Sequence, residues 1–125
     1  MARRIRKRDI GDLSLGHVRA FINCSEPVQA KSHGLFVERF AEHGVRLNQL
    51  AVSYAMAENT FAVTQTAIGK TPVVEHIDAG ILQSEQRALP VADGMPYVSC
   101  GQAIAGTHVR VLSYEGDELA ERMVG

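Results

Sequence analysis

Two stretches of the chain begin alike: His17-Val18-Arg19 and His108-Val109-Arg110. In an extended backbone the Val of each points one way, while His and Arg point the other. On neighbouring strands the four polar side chains would meet as an anion site. Arg would supply forked donors for a phosphate or carboxylate, and His a donor whose charge is tunable near neutral pH. The alternative is four solvated surface residues on unconnected strands. Glu75-His76-Ile77-Asp78 gathers acid and base in four residues. On a helix consecutive residues splay apart, and only Glu75 and Asp78, three apart, share a face. Acid–base work by His76, Glu75 or Asp78 would need a partner from elsewhere. Cys100, in Tyr97-Val98-Ser99-Cys100-Gly101-Gln102, is a third candidate. A catalytic thiol needs a base and an electropositive setting; within an alternating strand Cys100 reads instead as a buried core residue.

Several chemistries lack their motif. No H-E-x-x-H or comparable spacing holds a metal, and no G-x-G-x-x-G fingerprint is present. Gly69-Lys70-Thr71 imitates the end of a phosphate loop, but the residue five before Gly69 is Thr64 rather than Gly. Neither a metal nor a cofactor is implied. Aromatic residues interleaved with basic ones, the stacking platform of single-strand binders, are missing as well.

Charge gives the other signal. Arg3, Arg4, Arg6, Lys7 and Arg8 precede the first acid, Asp9. The remaining 8 basic side chains face 14 acidic ones, so residues 9–125 carry −6 while the whole chain carries −1. A basic arm on an acidic body fits phosphate neutralisation on a nucleic acid or a strap across a neighbouring copy in a homo-oligomer. The arm is followed by Asp9 and Asp12, not by the apolar run of a signal peptide. No stretch approaches the roughly 18 apolar residues of a membrane helix. Cys24 and Cys100 form no C-x-x-C pair and read as reduced thiols. These features point to the cytoplasm, with no membrane partner; a virion or capsid setting is equally signal-less.

A chain of 125 residues is one domain: residues 1–16 as basic arm and linker, residues 17–125 as the folded body. His17 to Cys24 alternates as a strand, with Val18, Ala20, Ile22 and Cys24 on one face. Ser25-Glu26-Pro27 opens a helix that runs to His43 and stops at Gly44; Gly34 weakens its middle by about 1 kcal/mol, which offers a start near Ser32 as the alternative. In residues 46–70, Leu50, Val52, Tyr54 and Met56 alternate against Ala51, Ser53 and Ala55, and Thr60–Ile68 is rich in β-formers, which favours a hairpin turning at Glu58-Asn59. The same stretch also fits two helices, and Ala62–Lys70 resembles the start of a recognition helix in LysR-type regulators. Pro72 would then fall inside that helix, at a cost of about 3 kcal/mol. Thr71-Pro72 instead opens a second helix ending at Pro90. Met95–Ile104 and His108–Tyr114 read as strands, and Gly116-Asp117-Glu118 opens a short last helix. The resulting order, β-α-β-β-α-β-β plus a C-terminal helix, is that of an α+β two-layer sandwich of ferredoxin-like type.

Three functions fit this sequence. The first is a small oligomeric binding or assembly protein whose basic arm contacts nucleic acid or a neighbouring subunit. The second is a small cofactor-independent α+β enzyme with its site between subunits, built on His17, Arg19, His108, Arg110 or His76. The third is a helix-turn-helix regulator, if residues 46–70 are helical.

Overall fold

The computed structural model describes residues 5–125, the side chains of Lys7 and Arg8 excepted. Arg3 and Arg4, and the side chains of Lys7 and Arg8, therefore lie outside the described residues. The elements are α1 (Lys7–Ile10), β1 (Phe21–Asn23), α2 (Ala30–Phe40), β2 (Leu50–Ala55), β3 (Ala62–Gln65), β4 (Val74–Ile77), α3 (Ala79–Glu85), β5 (Met95–Val98) and β6 (Gln102–Ala103). They form a mixed α+β fold with two sheets, one ordered β1-β2-β3-β6 and the other pairing β4 with β5.

The first sheet is built around β2. β1 runs parallel to it, with Phe21 opposite Leu50 and Asn23 opposite Val52. A parallel pair requires a crossover, and α2 supplies it. The helix is amphipathic in the required register. His33, Phe36 and Phe40 recur at three- and four-residue spacing, and Phe36 stacks at 5.2 Å on Phe21 and 4.7 Å on Phe40. Because Phe21 and Asn23 alternate with Ile22, the latter faces away from α2. Leu50 through Ser53 are buried on both faces, and Val52 is fully so. That is the burial of a central strand, not of an edge. β3 returns antiparallel to β2, and β6 pairs antiparallel with β3.

The segment before β1 is fastened to this core. Gln49, itself buried, donates from Nε2 to the carbonyls of Leu15, Gly16 and Val18 at 3.3, 3.3 and 2.6 Å. Leu15 N donates to His43 O at 2.7 Å, His43 Nδ1 donates to Leu13 O at 3.0 Å, and Arg39 donates to Ile5 O at 2.6 Å.

Several expectations change here. The hairpin in residues 46–70 forms as expected, with its turn in a short 3-10 segment, Ala57–Asn59. The helix-turn-helix reading fails there, because Ala62–Gln65 is strand β3. The helix expected from Thr71-Pro72 is replaced by β4, followed by a shorter α3. Val73, Val74 and Ile77 are β-branched, and Met95–Val98 offers a partner strand, with Ile77 opposite Met95. Helix formation is deferred to Asp78, whose carboxylate accepts from Ile81 N at 2.9 Å and caps α3. The strand expected over Met95–Ile104 is cut in two at Gly101, where φ is +84°. His108–Tyr114 forms no named strand, and the expected C-terminal helix is a series of turns interrupted by positive φ at Gly116 and Arg122. The α+β class is retained, but these changes divide the single ferredoxin-like sheet into two.

Candidate functional site

A cavity of about 840 Å3 opens where β1 and β2 end and α2 begins. One wall is the Ser25–Lys31 connection, the second is Ser53-Tyr54-Ala55 at the end of β2, and the third is β5 with Cys100. The carboxyl end of a parallel strand pair is where open α/β sheets bind ligands, because the crossover leaves a crevice there. The chain makes this crevice with a sharp exit from β1. Ser25 takes a positive φ of 74°, and the fixed φ of Pro27 carries the chain out before α2 starts. No side chain caps α2 at Gln29; Ser32 N donates to Gln29 O at 2.9 Å, and Ala30 and Lys31 of the first turn line the cavity. They carry the positive end of the helix dipole.

The opposite wall is set by hydrogen bonds to β3. Thr64 Oγ1 donates to Cys100 O at 2.9 Å, and Ser53 Oγ donates to Thr64 O at 2.9 Å. Gly101 lies against the Gln65 and Thr66 backbone so closely that a Cβ would collide with the Gln65 carbonyl. Further along α2, and not among the lining residues, His33 is buried, with Nε2 at 3.5 Å from Asn23 Nδ2. Burial pushes its pKa below the ordinary histidine value, which favours the neutral imidazole. The ionisable side chains lining the cavity are Glu26, Lys31, Tyr54, Tyr97 and Cys100. Tyr54, Met95 and Tyr97 are each substantially exposed there.

The residues singled out by sequence are distributed differently. His17 and Arg19 lie outside any strand, before β1, and His108 and Arg110 lie after the Gly106 turn; all four are exposed. Glu75 and His76 are on strand β4, not on a helix. Glu75 pairs bidentately with Arg122 at 3.2 Å. The Arg122 hydrogen bonds and then its charge hold the Glu75 carboxyl below the ordinary carboxylate value. Asp78 is occupied as the cap of α3. Cys100 is exposed at the cavity rather than buried in a strand, because the Gly101 bend turns it out. Arg6 is paired with Asp9 at 2.9 Å. No group of three metal-ligating side chains occurs among the described residues, and no described helix is long and apolar enough to cross a membrane. Sequence reasoning missed Ser25-Glu26-Pro27 and Tyr54 as site residues. Their signal was present, since a strand running through a Ser-Glu-Pro turn into a helix is the strand-end crevice itself.

No protein-family model matches the sequence. It is 27% identical over 128 residues to a putative ligase of Mycobacterium tuberculosis, an alignment covering 100% of this chain and 24% of that protein. It is 34% identical over 94 residues to the long-chain-fatty-acid–AMP ligase FadD32 of Mycobacterium marinum, covering 75% of this chain and 15% of the relative. Among solved structures, a study of fatty acyl-adenylate ligases from E. coli and L. pneumophila matches with a TM-score of 0.90 at 25% identity, over 98% of this chain and 23% of that one. A fatty acyl-adenylate ligase from L. pneumophila in complex with acyl adenylate and pyrophosphate matches with a TM-score of 0.77 at 24% identity, over 89% and 20%. The chain thus spans about a quarter or less of the length of these relatives. The likenesses overturn the reading of a nucleic-acid-binding or assembly protein with a basic arm, since the similar proteins are acyl-adenylate and acyl-CoA ligases. They favour the alternative, an enzymatic role.

Proposed function

We propose that this chain is a portion of an acyl-adenylate-forming ligase and that its cavity holds part of the acyl adenylate. The observation that carries this reading is the superposition of almost the whole chain on one segment of a fatty acyl-adenylate ligase. The strand-end cavity supports it, because that is where such a fold has room for a ligand.

The chemistry is compatible with the lining. When an acyl adenylate and pyrophosphate form together, a carboxylate oxygen bonds to the α-phosphorus of a nucleoside triphosphate. The α–β phosphoanhydride bond breaks, and the electron pair leaves with pyrophosphate. No proton needs to move, so a general base is not required. The demand is for positioning and for stabilising negative charge. Lys31 and the first-turn amides of α2 provide positive potential on one wall. Tyr54, Met95 and Tyr97 provide apolar surface that keeps water from a reactive mixed anhydride.

The test is calorimetric titration with a non-hydrolysable sulfamoyl analogue of a fatty acyl adenylate. Saturable one-to-one binding is expected, weakened at least about tenfold by Tyr54→Ala, a loss of about 1.4 kcal/mol. Absence of binding up to about 1 mM analogue would remove the proposal.

A further inference from the structure

Two walls of the cavity, the end of β2 and the Cys100 side, belong to strands that do not pair with each other. Thr64 bonds to both. On β3 it lies opposite Tyr54 of β2, and side chains directly opposite in an antiparallel pair share a face. Tyr54 lines the cavity, so the Thr64 side chain is turned to the same side of the sheet. Its hydroxyl donates to Cys100 O at 2.9 Å, across to the facing wall. Its carbonyl accepts from Ser53 Oγ at 2.9 Å, and Ser53 belongs to the first wall.

The backbone is irregular on both sides of this contact. The β2–β3 register shifts immediately after the Tyr54–Thr64 pair, since Ala55 lies opposite Ala62. A bulge of this kind bends the strand and re-aims a side chain, and bulges gather next to active sites. Cys100 lies in the link between β5, which ends at Val98, and β6, which begins at Gln102. Within that link Ser99 N donates to Val73 O at 2.9 Å, and Gly101 N to Ser99 Oγ at 3.1 Å. Neither bond reaches the Tyr54 wall. Gly101 allows the link to approach β3, and the Thr64 hydroxyl fixes the peptide that carries Cys100 once it is there.

We infer that Thr64 is a positioning residue: by holding the Cys100 carbonyl, its hydroxyl fixes the separation of the Tyr54 and Cys100 walls and so the fit of the ligand between them. That this ligand is an acyl adenylate rests on the ligase reading; the brace itself does not. Valine has almost the shape of threonine and a comparable preference for strands, so what threonine adds at this position is the donor. The bond to Cys100 O is exposed, and water can satisfy that carbonyl when the hydroxyl is removed. The fold then loses little, but the wall loses its fixed distance.

The experiment compares Thr64→Val, Thr64→Ala and Thr64→Ser in the full chain. The first removes the donor and keeps the shape, the second removes both, and the third keeps the donor. The first readout is the alkylation rate of Cys100 with a bulky pyrenyl maleimide divided by its rate with iodoacetamide. The same quotient at Cys24 is the internal control, because general loosening raises both. The Cys100 quotient should rise about fivefold in Thr64→Val and Thr64→Ala, what one net hydrogen bond is worth, and stay within about twofold of the parent in Thr64→Ser. Affinity for the sulfamoyl analogue should fall by the same factor of about five and recover in Thr64→Ser. The inference is overturned if the Cys100 quotient is unchanged, if both cysteines respond equally, or if Thr64→Ser does not restore the parent. Loss of the fold in both Thr64→Val and Thr64→Ala would assign the hydroxyl to stability and overturn it too. The expected quotients in a chain that binds no analogue would uphold the brace and remove the ligase reading. Analogue binding that none of the substitutions alters would keep the ligase reading and remove the positioning role.

Discussion

Gly101→Ala should be the most disruptive single methyl in this chain. Gly101 has φ +84°, a conformation that costs an L-residue about 1–2 kcal/mol. The added Cβ would also collide with the Gln65 carbonyl and the Thr66 nitrogen, which are backbone atoms of β3 and its exit. Forced overpacking adds about 1–3 kcal/mol, so the total destabilisation is roughly 3 kcal/mol. Relief by moving β6 away would break the Thr64–Gln65 pairing with Gln102–Ala103 and the Thr64 hydroxyl bond to Cys100 O. At roughly 4 °C per kcal/mol for a chain of this size, the melting temperature should fall by about 12 °C. Gly69→Ala is the control, since Gly69 has φ +83° but nothing within 4 Å of its would-be Cβ. It should lose only the conformational part, about 1 kcal/mol. The assay is thermal unfolding followed by circular dichroism, with acyl-adenylate analogue binding as the second readout. Equal losses for the two variants would refute the steric argument, and with it the claim that Gly101 sets the Cys100 wall of the cavity.

Three further outcomes follow from single contacts. The Glu75 carboxyl is held below its ordinary value by Arg122; a depressed folded pKa gives stability that is present above the unfolded value and lost as pH falls through the folded one. Denaturant titration of Glu75→Gln should therefore show less acid loss than the parent below about pH 4.5. His33 is also depressed, by burial, so the unfolded chain takes up protons first and stability falls as pH drops below the unfolded histidine value. His33→Leu should flatten the stability profile between about pH 7 and pH 5, read from urea midpoints. Cys100 is exposed at the cavity while Cys24 is half-buried beside Ser25, so a thiol reagent should modify Cys100 first, and saturating analogue should slow that reaction.

Much of the first sheet was legible in residue order. The alternation in Leu50–Ala55 reports directly on what β2 buries, and the strand forms there; α2 forms as well, but it begins at Ala30 rather than at Ser25, whose positive φ keeps it out of the helix, and it ends at Phe40 rather than at His43. The second sheet was not legible, because Val74–Ile77 satisfies a helical stripe and a strand equally. The decision rests on a partner, Met95–Val98, that is distant in sequence. The C-terminal region misled for a different reason. A helix was inferred from acids preceding Arg122, but Arg122 is spent on Glu75 and takes a positive φ. A long-range ion pair leaves no periodic trace.

The cavity was hidden by a deeper ambiguity. Val52 and Tyr54 belong to one alternating row, and nothing in that row distinguishes them. Val52 is wholly buried, while Tyr54 is 51% exposed at the cavity. Ile22 raises the same difficulty on β1. Apolar patterning records which side chains avoid water; it does not record whether the core, a ligand or another polypeptide provides the shelter. Where the sheet itself does not provide it, the exposed apolar row becomes the evidence for function. Tyr54 at the cavity and Ile22 on the neighbouring strand are both positions of this kind. The two lie on adjacent parallel strands, β2 and β1, whose carboxyl ends frame the cavity.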